Sequence, residues 1–392
     1  MQVSAPRDGL SVLFFVEGFT DIRFVAGLSR ICRLTMVVPS RQYAASGLRE
    51  RVTGLGLDVD VLEIGGSRLE FQARSFAWLW RHARRFNLIL AQEVLRGALN
   101  ANIVGKLRGV PVATYMGIAP LEYFRCRRER GQIGPFKAMA GEVVIRCLLD
   151  LNGRMATRCL AMGPYLCEVA SRYCRRSVIG LYYGVDTRLF RPATCSERAD
   201  IRQRLKLPSD KFVILFSSRI SHEKDPETVL SATGIARERG LDALVLNIGG
   251  GWREFLGLAE SLGLPDSRRW VLGRPAAHPL TEVFDYFRAA DAVAQASLAE
   301  GAAYSTLEAL ACGTPVVATA VGGMAVQLNG YARLVPRRDA AAMAEQIIWI
   351  AANRVDAHAQ ALRGREFVLR EWSSEKAFAD LGEILKEVAA RA

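Results

Sequence analysis

Two glutamates eight residues apart, Glu300 and Glu308, bracket the string Glu-Gly-Ala-Ala-Tyr-Ser-Thr-Leu-Glu, and Ala-Leu-Ala-Cys-Gly-Thr-Pro follows directly. Glu300 ends a loop after a strand predicted over 292–296. Gly301 permits close backbone approach, and a helix is predicted from near Ala303 to Cys312-Gly313, where the glycine stops it. The free backbone N–H groups of this start, over Gly301, Ala302, Ala303, Tyr304 and Ser305, combine with the positive end of the helix dipole into an anion site suited to a diphosphate. Glu308, still in the first turns, can accept hydrogen bonds from vicinal hydroxyls. An acid near a helix start also stabilises the dipole, which accounts for one of the two glutamates but not for the whole string.

The elements that must position this string are legible as apolar rhythm. In the first half, short aliphatic runs at 11–16, 34–38, 59–64, 87–90 and 111–114 read as buried parallel strands. They alternate with helical patterns at 21–30, 41–54, 68–85 and 98–108. A second series starts at 212, with strands at 212–218, 243–249, 269–273, 291–296 and 315–319, and with helices at 226–239, 252–263, 280–288 and 303–312. Strand and helix alternating in this way specify α/β architecture with doubly wound sheets, and the double series predicts two Rossmann-like domains facing a central cleft. The rhythm breaks at 180–193, where Gly184, Asp186 and Pro192 place the hinge. The domains are therefore predicted over 1–185 and 186–373, with a last helix at about 374–392 packing back on the first.

Of the 392 residues, 50% are hydrophobic and 23% charged, which excludes a disordered or collagen-like chain. The apolar runs are too short to span a bilayer, and the start, with five apolar residues before Glu17, reads as a first strand rather than a secretory signal. A cytoplasmic protein is expected. The eight cysteines form no CxxC pair and no metal-ligand rhythm with the four histidines. Charge is uneven: residues 1–190 carry 27 Lys and Arg against 15 Asp and Glu, and the remainder carries 25 of each. One half thus suits an anionic partner. The segments WLWRHARR (78–85) and FRCRRERGQIGPFK (124–137) set aromatic beside basic residues, as contact with anionic lipid headgroups requires, so a peripheral position on the inner face of the plasma membrane is an expectation. The other reading of Trp78 and Trp80 is helix packing. No nucleic-acid recognition motif accompanies the charge, and no nucleic-acid partner is expected.

The stretch SLAEGAAYSTLEALACGTPVVATAVGG (297–323) resembles the Glu-x7-Glu signature of the family 4 retaining glycosyltransferases of GT-B fold, the glycosyl transferases group 1. The resemblance implies that Glu300 orients the donor sugar's hydroxyls and that Glu308 holds the nucleotide ribose. Three further segments agree in order. SSRISHEKDPETVLSA (217–232) is similar to the Gly-Arg-Leu-x3-Lys element, which puts Arg219 and Lys224 on the diphosphate. NIGGGWREFLGLAESLGL (247–264), with Gly250, is similar to the Gly-rich turn and helix. VLGRPAAHPLTEVFDYFRAADA (271–292), with Gly273 and Arg274, is similar to the base-binding loop. GVDTRLFRP (184–192) matches the hinge. The implied chemistry is transfer of a sugar, with retention of configuration, from a nucleoside diphosphate sugar to a glycan or lipid-linked acceptor of the cell envelope. The departing diphosphate would be neutralised by Arg219, Lys224 and backbone donors, with no metal or other cofactor.

The first half follows the pattern only in outline. Where many relatives have Gly-Gly after the first strand, this chain has Glu17-Gly18-Phe19-Thr20-Asp21, and where many carry a histidine it has Tyr115-Met116-Gly117. Gly18, Asp21, Met116 and Gly117 are thus the acceptor-side candidates. Two alternatives stay open: a nucleotide-sugar epimerase on a similar fold, and a binding protein that keeps the nucleotide site without turnover. A dehydrogenase is disfavoured because Gly249-Gly250-Gly251 lacks the GxGxxG spacing.

Overall fold

In the computed structural model, residues 9–129, 131–275, 277–278 and 280–391 are described; residues 1–8, where the non-secretory start was read, lie outside them, as do Ala276 and Pro279 of the loop at 271–292. Two compact units result. The first comprises residues up to Leu121, Gly134–Tyr183 and Glu375 onward; the second comprises Glu122–Ile133 and Gly184–Ser374. The short stretch 122–133, read above with the first domain, thus clusters with the second.

The first unit is built on a parallel sheet of β1 (Ser11–Phe15), β2 (Arg33–Pro39), β3 (Val59–Ile64), β4 (Leu88–Ala91), β5 (Val112–Met116), β6 (Arg158–Ala161) and β7 (Ser177–Ile179), in the order β3-β2-β1-β4-β5-β6-β7. Val12 lies opposite both Leu34 and Leu88, so β1 is central and its side chains from Val12 to Phe15 are buried on both faces. Each such side chain contributes about 1.5–3 kcal/mol by leaving water. The apolar pattern at 41–54 forms two helices, Ser40–Ala45 and Leu48–Gly54, because Gly47 between them sits at φ +66°. The terminal helix Ser374–Ala389 places Phe378 against Phe24 and so close to Gly27 that a Cβ there would lie 1.8 Å from its ring. Arg158 pairs with Glu387 of the same helix at 3.1 Å.

The second sheet has β8 (Phe212–Phe216), β9 (Ala243–Asn247), β10 (Val271–Gly273), β11 (Ala292–Gln295), β12 (Val316–Thr319) and β13 (Arg333–Val335), in the order β10-β9-β8-β11-β12-β13. Strand order therefore reverses between β8 and β11, the position at which open parallel sheets leave a crevice beyond their carboxyl ends. Its first five strands and the helices between them follow the predicted sequence with shifts of up to three residues at their ends, whereas β13 was not predicted. No helix among the described residues is long and apolar enough to cross a membrane.

Candidate functional site

Four strand ends converge at the reversal in the second unit. After β8 come Ser217, Ser218 and Arg219; after β9, Gly249 and Gly250; after β10, Arg274; after β11, the loop that ends at Glu300. Asn247, buried at the end of β9, ties them together. Its Nδ2 donates to the carbonyls of Phe216 (2.9 Å) and Ser218 (2.8 Å), and its own carbonyl accepts from Arg274 N (2.9 Å). Ile220 N donates to Gly250 O at 2.7 Å. A Cβ on Gly249 would stand 1.8 Å from the Ser218 carbonyl oxygen, so the two turns approach as only glycine allows. A Cβ on Gly273 would lie 2.6 Å from Trp252 O, whereas on the exposed Gly250 it would make only ordinary contact with Arg219.

Lys224 and Glu300, seventy-six residues apart in sequence, form a direct ion pair with their side chains 16% and 8% exposed. Lys224 closes the short turn His222–Lys224, and Leu298 N donates to Glu223 O at 2.8 Å, which joins that turn to the Glu300 loop. Ser297 Oγ donates to Glu300 Oε2 at 3.1 Å, Gln295 Nε2 donates to Ser297 Oγ at 2.7 Å, and Ser218 Oγ donates to Gln295 Oε1 at 3.0 Å. This buried chain fixes the carboxylate from behind. Sequence reasoning missed Gln295, Ser297 and Ser218; the signal lay in two polar residues closing an otherwise apolar run, DAVAQAS.

Arg219 is placed differently from its expected partner. Its side chain is 68% exposed and pairs with Glu223 at 3.0 Å. Burial alone would raise the Glu223 carboxyl, but hydrogen bonds from its own backbone N–H and Ser221, with Arg219 and Lys224 nearby, hold it below its ordinary range. Tyr123, packed against Leu298 and Ala299, was also missed. Burial and then the charges of Glu300 and Glu223 push its phenol up.

The helix Tyr304–Ala311 starts one residue later than predicted, with Ala303 as a cap whose side chain donates and accepts nothing. The turn before it, Gly301 and Ala302, is laid on the next helix start: Gly323 N donates to Glu300 O at 2.9 Å, and a Cβ on Gly323 would meet Gly301 O at 1.8 Å. Tyr304 packs edge-on to Trp372, Ser305 Oγ lies 3.5 Å from Gln295 Oε1, and Glu308 is buried in the second turn. Cys312 and Gly313, at φ +69°, end the helix.

The acceptor-side candidates of the first unit sit in differing surroundings. Asp21 caps the helix Ile22–Ile31 by accepting from Arg23 N at 2.9 Å and pairs with the Arg23 guanidinium at 2.9 Å. Burial opposes its charge, but Arg23 wins and the carboxyl is held below its usual value. Met116 is 1% exposed and packs with Leu149, Cys159 and Leu166, so it belongs to the core. A Cβ on Gly117 would lie 3.2 Å from Met162 Cε, and Gly18 is exposed with open space around it. The sheet reversal between β1 and β4 also presents a carboxyl pair that sequence reasoning missed. Glu17, 5% exposed, is bound by Arg96 with Arg68 at 3.7 Å, and Glu93 accepts from Gly97 N at 3.1 Å. Burial and the adjacent Glu17 raise Glu93 from 4.5 to about 7.

Comparison with known proteins agrees with this geometry. Residues 197–367 match the glycosyl transferases group 1 family. The chain is 32% identical over 275 residues to a D-inositol 3-phosphate glycosyltransferase 1 of Catenulispora acidiphila, covering 67% of this chain and 63% of that protein. It is 42% identical over 157 residues to a D-inositol 3-phosphate glycosyltransferase of Actinosynnema mirum, covering 37% and 36%. The matches thus span less than two thirds of those relatives' length. Among solved structures, Anabaena HepE in complex with UDP-glucose superposes with a TM-score of 0.77 at 16% identity, over 96% of this chain and 100% of that one. The sucrose-phosphate synthase of Thermosynechococcus elongatus gives 0.69 at 20% identity, over 97% and 100%. The two parallel α/β units thus have the GT-B fold, and residues 197–367 of the chain belong to the glycosyl transferases group 1.

Proposed function

We propose that the protein is a retaining, metal-independent glycosyltransferase that moves a sugar from a nucleoside diphosphate donor to a lipid-linked or cell-envelope glycan acceptor. The observation that carries this reading is the Lys224–Glu300 pair, braced by Ser297 and Gln295 at the switch point of a sheet whose residues match a glycosyltransferase family. A fixed ammonium beside a strand-end turn supplies positive charge where a diphosphate leaves, without waiting for solvent to reorganise. Glu300, oriented from behind, accepts hydrogen bonds from the sugar hydroxyls. Arg219, exposed and loosely held by Glu223, is free to swing toward the phosphates on donor binding. The start of the helix at Tyr304, with the positive end of its dipole, and the buried Glu308 receive the nucleotide. The acceptor attacks from the face the leaving group vacates, and the departing diphosphate takes its proton, so configuration is kept.

The test is release of nucleoside diphosphate from a panel of nucleotide sugars in excess EDTA, with NMR of the anomeric centre in the product. Release that persists in EDTA with a retained anomer supports the reading. Strict magnesium or manganese dependence, an inverted product, free epimer, or tight donor binding with no release would overturn it.

A membrane-bound acceptor is supported by the helix Pro135–Met155, which exposes Phe136, Met139, Val143 and Leu151 along one stripe beside Lys137 and Arg146. Trp78, by contrast, packs into the core and stacks on His82 at 4.7 Å, so it is a helix-packing residue. Sedimentation with anionic vesicles that weakens with salt is expected; equal sedimentation with neutral vesicles would remove the membrane from the reading. The names of the relatives favour a second acceptor, a phosphorylated cyclitol in solution. Transfer to inositol 3-phosphate without membrane extract would select it.

A further inference from the structure

A cavity of about 460 Å³ lies at the opposite edge of the second sheet from the site just described. It is bounded by Phe212, which opens β8, by Asp291 just before β11, and by Pro315 just before β12. These are amino ends of strands, whereas Arg219, Gly250 and Glu300 follow carboxyl ends. Strands of four or five residues at about 3.3 Å each separate the two places by roughly 15 Å.

The lining is cationic. Arg198, Arg288 and Arg354 face the cavity against the one carboxylate of Asp291. That carboxylate is already committed: it accepts from Arg198 Nη2 (2.8 Å), Arg202 Nη2 (2.6 Å) and Val213 N (2.7 Å). Arg288 is the telling residue, with its side chain only 9% exposed. Its Nη1 donates to Asp285 at 3.2 Å and its Nη2 lies 3.2 Å from Glu197 Oε1, yet buried Nε and Nη2 make no hydrogen bond of acceptable geometry. Glu197 is itself held by Arg191 at 2.6 Å and by Thr194 N at 2.9 Å. Buried N–H donors without acceptors are rare in native proteins, and each has an explanation, commonly a missing ligand oxygen. Two helices, Cys195–Arg204 and Arg354–Glu371, begin at the cavity and add the positive ends of their dipoles.

We propose that this cavity is a binding site for a small phosphate ester of sugar size, distinct from the donor site. Three guanidiniums match the oxygens of a phosphate, which they bind through paired N–H groups. The volume falls in the range of pockets that enclose a small organic ligand and exceeds what a bare phosphate fills. This assignment stands on the arginines and the cavity and does not depend on the proposed transferase reaction.

The exposed thiol of Cys195 lines the cavity and reports on it, and the exposed Cys147 of the first unit serves as control. Alkylation of both is followed by peptide mass spectrometry on the full chain, with glucose 6-phosphate, inorganic phosphate and glucose as probes. Glucose 6-phosphate should slow labelling of Cys195 alone, inorganic phosphate should do so only at higher concentration, and glucose should not. Arg354→Gln and Arg288→Gln should each raise the half-protecting concentration roughly 10- to 100-fold, the worth of one charge-assisted hydrogen bond. Arg354 is exposed at a helix start, so its variant decides the matter if Arg288→Gln does not fold. Lys224→Ala, which disables the donor site, should leave protection intact. Unchanged labelling with glucose 6-phosphate, protection that survives both arginine variants, or protection lost in Lys224→Ala would overturn the proposal. Equal protection by inorganic phosphate would overturn the assignment to an ester.

Discussion

Replacing Lys224 by Met isolates the electrostatics on which the proposed donor site rests. The substitution keeps the length and apolar stem of the side chain and removes its charge. Glu300, with its side chain 8% exposed, keeps the Ser297 hydroxyl as a donor but loses its cation. Two opposite unit charges about 4 Å apart attract by about 4 kcal/mol at an effective dielectric of about 20. Removing one member of such a buried pair costs about 3–5 kcal/mol, since the survivor stays desolvated. Lys224→Met and Glu300→Gln should therefore each destabilise the second unit by about 3 kcal/mol near neutral pH. The double variant should cost at least about 2 kcal/mol less than the two added together. Urea unfolding followed by tryptophan emission measures this, because Trp252, Trp270, Trp349 and Trp372 all lie in the second unit. Nucleoside diphosphate release should fall in all three variants, including the double one that restores stability. Single variants within about 0.5 kcal/mol of the parent, or strict additivity, would refute the reasoning.

Ser297→Ala removes the hydroxyl between Gln295 and Glu300; turnover should drop with KM little changed, at a cost of about 1–3 kcal/mol for the buried amide left unpaired. Steady-state kinetics with the identified donor checks the split, and a raised KM at constant kcat would contradict it. Gly249→Ala cannot be accommodated 1.8 Å from the Ser218 carbonyl, so the turns must part and donor binding should be lost, read as an absent thermal shift with nucleotide. Glu308→Ala should mainly weaken nucleotide binding, and Glu300→Ala should mainly lower kcat. Glu93, raised from 4.5 to about 7, holds in the folded state a proton that the unfolded chain releases. Its contribution is complete below about 4.5 and is lost as pH climbs to about 7, so Glu93→Gln should gain stability relative to the parent between pH 5 and pH 8 in thermal melts. A difference that is constant with pH would show that Glu93 is not raised in the folded state.

Five strands of the second sheet were legible because they are short, largely buried aliphatic runs, and FVILF and ALVLN cannot be mistaken for surface segments; β13, RLV, escaped because it is three residues long and opens on an arginine. β6 and β7 escaped notice because RCLA and SVI are three or four residues long, with a charged or polar residue at their start. The break at Gly47 was written in the sequence but outweighed by the helical period on either side. Glu300, Glu308 and Lys224 could be named from a spaced motif, whereas the buried chain behind Glu300 could not, since it joins residues 218, 295 and 297 across β8 and β11. Asp21 and Met116 illustrate the reverse limit. Position along the chain nominated them, but the direction of a side chain, toward Arg23 in one case and into the core in the other, is settled by packing.

The terminal helix bears on how the molecule is made. Synthesis runs from the amino end, so residues 184–374 of the second unit are made before Phe378 exists to cover Phe24 and Gly27. The strands of the second sheet are complete at Val335, and the first unit must wait with Phe24 and Gly27 uncovered until Phe378 has been made. A premature stop between residues 375 and 378 therefore harms the unit that was synthesised first. Nascent chains stalled late in translation should be cut by protease within residues 9–183 while the later-made sheet resists.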